Sequence, residues 1–331
     1  MWPGTHRAQP VRRSGSERSA GRLAGGTVPR VKIRIGYGLG TRTVTNDGDS
    51  FGAFVDDLER LGFDSLWLSE RVSGEAPDPL IALAFAAART TKLKLGMSVL
   101  VLPGRNPVLL AEELATLDRL SNGRLLPAFG LGVADPHEQQ AFGVERRQRA
   151  AIFDEALPLL RRLWSEDAVD HDGDWFHYEG IRVRPKPAQD PLDLWLGGIA
   201  PSELRRVGRL GDGWLPSFCT ADDLKTAIPV VVETAAAHER QIDPEHFGAL
   251  IIYTTGAVPD ALVTIAAQRR PDLADPAELV SSGLPALRAR IESMIEAGAS
   301  KFVVVPLSEP SGVGWRDELE AVAAELKPLE T

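Results

Sequence analysis

The chain has 331 residues, 44% hydrophobic and 25% charged, the balance of a water-soluble globular protein with room for one large domain or two ordinary ones. Formal net charge is −9. The first 30 residues carry +5, from Arg7, Arg12, Arg13, Arg18, Arg22 and Arg30 against Glu17, and the remainder carries −14, which argues against a nucleic-acid partner. The single cysteine, Cys219, excludes an internal disulfide framework and a cysteine-based zinc site and suits a cytoplasmic protein; no apolar run reaches the length of a membrane span.

Residues 1–27 are rich in Arg, Ser and Gly without apolar periodicity, and read as a disordered extension. Arg12-Arg13 lacks the apolar segment that a twin-arginine signal needs. One domain is expected over 28–331. Its first strand is Lys32 to Tyr37, followed by a helix carrying Phe51, Phe54, Val55, Leu58 and Leu61, with Ser50 as N-cap and Gly62 as stop. Strand Phe63–Leu68, helix Asp78–Thr90, strand Leu93–Leu102 and helix Pro107–Leu120 follow. Then come strand Arg124–Leu131 and helix Arg146–Trp164, kinked at Pro158. The stretch near 168–191 reads as an inserted hairpin centred on His171-Asp172-Gly173-Asp174 with a proline-rich connector. Strand Leu192–Leu196, helix Ser202–Leu210, strand Gly213–Phe218, helix Asp222–Arg240 and strand Gly248–Thr255 restore the rhythm. Residues 259–283 read as a second, irregular and partly helical insertion, before helix Pro285–Ala297, strand Lys301–Pro306 and helix Trp315–Leu326. Eight strands each followed by a helix predict an α/β fold of the (β/α)8 TIM-barrel kind with insertions. The rival, a doubly wound open sheet, wants a glycine-rich turn tight against the first helix. Here Gly36-Tyr37-Gly38-Leu39-Gly40 stands more than ten residues before it, with the wrong spacing.

A barrel site lies at the carboxyl ends of the strands. That selects Tyr37 and Gly38; Ser69, Glu70 and Arg71; Ser98 and Val99; Gly130 and Gly132; Gly197 and Gly198; Ser217; and Pro306. None of the six histidines ends a strand or forms a metal-binding pair, and there is no G-x-S-x-G elbow, P-loop or strand-end Schiff-base lysine. A glycine-rich rim with one carboxylate and one guanidinium suits a large planar cofactor and its phosphate better than hydrolysis. In Trp195-Leu196-Gly197-Gly198-Ile199-Ala200-Pro201-Ser202 a strand ends in two glycines and a helix starts at once. The run reads equally as a phosphate cradle or as a tight turn needing positive φ. Glu70-Arg71 reads as a polar pair facing a cofactor, with Glu70 as acid or base, or as a surface ion pair. Asn106-Pro107 reads as a helix cap, and Cys219 as an inert thiol with no histidine near in sequence.

Four segments in order resemble the luciferase-like monooxygenase superfamily, especially its actinobacterial deazaflavin-dependent branch. They are Phe63-Asp64-Ser65-Leu66-Trp67-Leu68-Ser69-Glu70-Arg71; Leu95-Gly96-Met97-Ser98-Val99 with Arg105-Asn106-Pro107; Leu117-Asp118-Arg119-Leu120-Ser121-Asn122-Gly123-Arg124 leading into Gly130-Leu131-Gly132; and Trp195-Leu196-Gly197-Gly198 through Gly211-Asp212-Gly213-Trp214. The resemblance implies a bacterial luciferase-like barrel that binds coenzyme F420 or FMN over the strand ends. Gly197, Gly198, Ile199 and Ser202 would hold the phosphate, and Gly38, Gly130 and Gly132 would line the cofactor. Ser98-Val99 would form a bulge, often with a non-prolyl cis peptide, behind the ring. It also implies a small-molecule substrate and a homodimer. Many deazaflavin members end the second strand in Asp-His, where this chain has Glu70-Arg71, and some place a glutamate where Val133 follows Gly132. Arg71 therefore replaces a proton donor with a fixed charge.

Three functions follow. One is an F420-dependent oxidoreductase moving a hydride to or from a small organic substrate. Another is an FMN-dependent monooxygenase that takes reduced flavin from a partner reductase and uses molecular oxygen. The third is a non-catalytic cofactor-binding barrel.

Overall fold

The strand Lys301–Pro306 shows how the wall is built. Val303 and Val305 point inward and join Trp67, Ala128, Trp195 and Leu215 in the inner core, while Phe302 and Val304 point outward to the helix layer. The computed structural model describes residues 31–40, 47–307 and 314–331; the expected extension over 1–27 lies outside the described residues. The strands are β1 (Arg34–Gly38), β2 (Ser65–Leu68), β3 (Lys94–Met97), β4 (Leu100–Val101), β5 (Leu125–Leu126), β6 (Ala128–Gly130), β7 (Val169–Asp172), β8 (His177–Ile181), β9 (Trp195–Leu196), β10 (Gly213–Trp214), β11 (Gly248–Thr254), β12 (Val280–Ser282) and β13 (Lys301–Pro306). The helices are α1 (Gly48–Leu61), α2 (Pro79–Arg89), α3 (Pro107–Leu120), α4 (Pro136–Phe142), α5 (Arg149–Ser165), α6 (Pro201–Leu210), α7 (Ala221–Ala237), α8 (Asp260–Arg269), α9 (Leu284–Glu296) and α10 (Trp315–Leu326).

Parallel pairing runs from β13 to β1, β2 and β3, with β3 and its continuation β4 both paired to the fourth strand, β5 with β6, and then on to β9 and β10. Bridges Trp214↔Phe247 and Ser217↔Leu250 carry the ladder to β11, which pairs with β13 and closes the (β/α)8 ring. Inside it, Trp67 lies where a Cβ on Gly96 would come within 2.3 Å of its ring, so the interior is filled by side chains rather than left open. At the floor, Asp64 receives Lys94 at 3.1 Å and Lys301 at 2.9 Å. These cations hold the Asp64 carboxyl at about 2 against the cost of burial, while burial pushes the Lys301 ammonium down.

The elements depart from expectation in five places. The third strand divides at Ser98-Val99 and the fourth at Pro127, which has no N–H to give the ladder. The cap of α1 is Asp47, whose carboxylate accepts the Ser50 N–H at 2.8 Å, not Ser50 itself. A short helix, α4, precedes α5, which runs on through Pro158. The second insertion is ordered: α8, a 3-10 turn Pro276–Leu279 and β12. The first insertion is the expected antiparallel hairpin of β7 and β8, pinned by the Glu155 carboxylate on the N–H groups of Asp174, Trp175 and Phe176.

The ordered insertion enters the wall. Beyond the Ser217↔Leu250 bridge, Phe218 adopts φ 54, and the sixth strand leaves the ladder. From Ile252 to Thr254 its place beside β11 is taken by β12.

Candidate functional site: the carboxyl mouth of the barrel

At the end of β2 the chain holds the third strand by four contacts. Leu68 O accepts the Ser98 N–H at 2.8 Å, and Ser69 Oγ donates to Ser98 O at 2.8 Å. The Glu70 N–H donates to Val99 O at 3.1 Å, and Glu70 Oε2 accepts the Val101 N–H at 2.7 Å. The Ser98-Val99 peptide between these clamps is cis. The other carboxylate oxygen of Glu70 pairs with Arg105, whose Nε donates to Val101 O at 3.0 Å. Burial pushes the Glu70 carboxyl up, opposed by the Arg105 charge and the Val101 N–H. Glu70 and Arg71 are therefore neither a joint pair toward the mouth nor a surface ion pair. Both Glu70 oxygens are committed sideways, to the bulge and to Arg105. Arg71 turns to the loop after the fourth strand, 3.8 Å from Asp135 and 3.9 Å from Glu138.

The bulge delivers Val99 to the centre of the mouth. A Cβ on Gly130 would stand 2.5 Å from Val99 Cγ2, and one on Gly197 would stand 3.5 Å from Val99 Cγ1. One valine thus spreads its methyls over bare backbone at the ends of the fourth and fifth strands. Gly38 lies in the inner layer, where a Cβ would meet Val305 at 2.9 Å and Val303 at 3.1 Å. Gly132 (φ 79) begins a loop whose carbonyls at Leu131, Gly132 and Val133 all accept from Arg149 Nη1, at 3.0, 2.8 and 3.0 Å. Tyr37 is not at the mouth. Its hydroxyl points out through the wall to Tyr253 at 2.9 Å, and Tyr253 donates to Glu318 at 2.6 Å.

The Gly197-Gly198 turn has a resident anion. Glu203 Oε2 accepts the N–H groups of Ile199 and Ala200, each at 3.0 Å, and so caps α6 from within its own first turn. Gly198 has φ 96, and a Cβ there would lie 2.6 Å from the Glu203 carboxylate, so both the turn and the cap require glycine. Its carbonyl accepts from Trp214 Nε1 at 2.8 Å. Ser202 is exposed in the first turn of α6.

Several mouth residues carried no signal that pattern reading could use. Arg105 acts through a partner that only the fold brings close, and Glu203 caps the turn at Gly198 from a position where a carboxylate is common. Arg269 and Arg270 fall in the stretch read as irregular. Arg269 stacks on Phe218, 4.8 Å from the ring centroid. Arg270 donates to Phe218 O at 2.9 Å and pairs with Asp223 at 2.7 Å and Asp272 at 2.6 Å. Cys219 is buried, and its thiol is pushed up to about 12 by that burial, as an inert thiol should be. Among the described residues no cluster of three or more His, Cys, Asp or Glu side chains could hold a metal, and no helix is long and apolar enough to cross a membrane. What the mouth offers is the apolar Val99 side chain over the bare backbone of Gly130 and Gly197, a surface that suits one face of a planar group.

Known proteins agree with that geometry. The chain is 33% identical over 205 residues to an F420-dependent glucose-6-phosphate dehydrogenase of Kineococcus radiotolerans, covering 57% of this chain and 60% of that one. It is 31% identical over 188 residues to a limonene 1,2-monooxygenase of Rhodococcus erythropolis, covering 56% and 46%. In both cases the match spans less than two thirds of the relative's length. The fold superposes on the coenzyme F420-dependent tetrahydromethanopterin reductase of Methanopyrus kandleri with a TM-score of 0.70 at 18% identity, over 91% of this chain and 100% of that one. The sequence profile described as luciferase-like monooxygenase matches residues 31–299, most of the chain, and with the closed barrel and its bulged third strand it places this protein in the luciferase-like monooxygenase family.

Proposed function

We propose that this barrel is a coenzyme F420-dependent oxidoreductase that transfers a hydride between the deazaflavin and a small organic substrate. The observation that carries this reading is the Val99 shelf, a single apolar side chain laid over Gly130 and Gly197 and locked from behind by Ser69 and Glu70. A shelf of that kind fits one face of a tricyclic ring. When bound, F420 supplies a carbon centre that accepts or gives up a hydride.

The chain's own residues do the rest. Val99 backs the ring, and Glu70 keeps Val99 in place as a positioning residue. The turn at Gly197 and Gly198, with the exposed Ser202, would face the phosphate. There the Ile199 and Ala200 N–H groups already donate to the Glu203 carboxylate, which leaves Gly198 and Ser202 to meet the phosphate. Arg71 contributes a fixed guanidinium charge that steadies negative charge. The F420-dependent relative at 33% identity supports this choice of cofactor.

The second reading, an FMN-dependent monooxygenase fed by a reductase, is favoured by the 31% identity to limonene 1,2-monooxygenase. One experiment separates them: titrate the purified full-length chain with F420 and with FMN side by side. F420 binding at least tenfold tighter than FMN is expected. Binding of FMN alone, with substrate-dependent oxygen uptake on addition of reduced FMN, overturns the F420 assignment.

A further inference from the structure

The turn that opens α6 lacks an ordinary cap. Its N-cap is Ala200, which has no side-chain acceptor, and the first helical residue, Pro201, has no N–H. Glu203 makes good the deficit by folding its carboxylate back onto the N–H groups of Ile199 and Ala200, each at 3.0 Å. No cation shares that carboxylate: Glu203 makes no ion pair among the described residues, and Arg206 and Arg209, farther along α6, pair with Asp154 instead. The amides still open at the turn are those of Gly198 and Ser202, which have no hydrogen-bond partner among the described residues. Trp214 Nε1 donates to Gly198 O at 2.8 Å and so fixes the orientation of that glycine. An anion received there stands beside a fixed negative charge, because a Cβ on Gly198 would already lie 2.6 Å from the Glu203 carboxylate.

Open amides and the positive pole of α6 attract any anion. The resident carboxylate opposes that attraction in proportion to the charge the ligand brings. A phosphate diester carries a single negative charge near neutral pH, whereas a terminal phosphate monoester carries about −1.5 to −2. With two of the turn's N–H groups already given to Glu203, the extra charge of a monoester meets added repulsion and finds few donors to offset it.

We propose that Glu203 makes this seat a charge filter, admitting a singly charged phosphodiester, the linkage in F420, ahead of a more highly charged terminal phosphate, the group in FMN. This rests on the reading of the mouth as an F420 site and assigns its cofactor preference to one side chain.

The test titrates the full chain with three deazaflavins, read by ligand fluorescence without turnover: the phosphate-free deazariboflavin, its terminal phosphate, and the methyl diester of that phosphate. They share one ring and differ in charge. In the unaltered chain the diester should bind tighter than the monoester. Glu203→Gln keeps an oxygen for the Ile199 and Ala200 N–H groups and removes the charge. It should tighten the monoester about tenfold and the diester about threefold, and shift the phosphate-free compound less than about twofold. The proposal is overturned if the monoester binds as tightly as the diester in the unaltered chain, or if Glu203→Gln shifts monoester and diester alike, which would leave Glu203 as a cap only. If the variant does not fold, the order of monoester and diester in the unaltered chain decides. Should the deazaflavins fail to bind while riboflavin and FMN bind, the F420 assignment falls and the filter is judged on that pair. FMN binding no tighter than riboflavin until Glu203→Gln is made sustains it, and FMN binding tighter from the start overturns it. If no ring binds, both readings fall.

Discussion

Replacing Glu70 by glutamine separates a positioning carboxylate from a catalytic one. The side chain is 6% exposed and its partner Arg105 21% exposed. Glutamine can still accept the Val101 N–H, but its amide then presents a donor to a guanidinium that has only donors. A charge-assisted bond is lost and a half-buried cation is left unpaired. Full burial would make that cost about 3–5 kcal/mol, and the partial exposure of Arg105 reduces it to about 2 kcal/mol. For a chain of this length that lowers the thermal midpoint by about 3 °C. Because the carboxylate locks Val101 two residues beyond Val99, cofactor affinity falls about threefold to tenfold as the shelf loosens. The assay joins a urea melt, a cofactor titration and a pH–rate profile. The expected result is a lower midpoint at unchanged m, weaker cofactor binding and a pH profile of unchanged shape. An unchanged midpoint and affinity, together with lost turnover and a missing limb in the pH profile, would refute the positioning role and make Glu70 the acid or base.

Three further outcomes follow from the packing. Gly130→Ala sets a Cβ 2.5 Å from Val99 Cγ2 at the mouth, so it should destabilise by about 1–3 kcal/mol and weaken cofactor binding more than it shifts the melt, read by titration beside calorimetry. Arg124 donates to Leu93 O, Ala87 O, Thr90 O, Thr90 Oγ1 and Ser121 O. Arg124→Lys keeps the charge but only three donors, and should cost about 3 kcal/mol by chemical denaturation with no change in bound-cofactor spectrum. Asp64 sits at about 2 in the fold against an ordinary value near 3.8, so its contribution is complete above about pH 4 and drains away as pH falls toward 2. That shift corresponds to about 2 kcal/mol, an upper value because burial depresses its partner Lys301. The stability gap between the wild type and Asp64→Asn should therefore close across that window.

The sequence pattern carried the barrel because its signals are local. Strand Lys301–Pro306 and helix Trp315–Leu326 fall on the residues where alternation and helical spacing put them. The Asn106 cap, with its carbonyl accepting Val108 N–H at 2.9 Å, is equally local. What escaped depends on chain segments that meet only in the fold. Glu70 finds Arg105 across 35 residues, and no spacing rule could have preferred that partner to Arg71. Arg124 belongs to a segment that looks like a family signature. In the structure it closes the carboxyl end of α2 through Ala87 and Thr90, where a cation faces the negative pole of the helix, so that signature is architectural. The insertion at 259–283 resisted reading because β12 is three residues long and takes its meaning from β11. The Glu203 cap was hidden for another reason: a carboxylate three residues inside a helix is common, and only the left-handed turn at Gly198 aims it at the site.

That β12 replaces the sixth strand beside β11 has an evolutionary corollary. The segment over the mouth cannot be exchanged as a loose surface loop. Its strand supplies three positions of the ladder, Ile252↔Val280, Tyr253↔Ser281 and Thr254↔Ser282, and its Arg270 anchors the Phe218 carbonyl where the older neighbour turns away. Excising it would expose a raw edge on one stave of the cask. New specificity can therefore be grafted here only as a cassette that brings its own strand and its own anchor, and variation within the cassette should concentrate in α8 and the turn after it, the part that borders the mouth without bearing the wall.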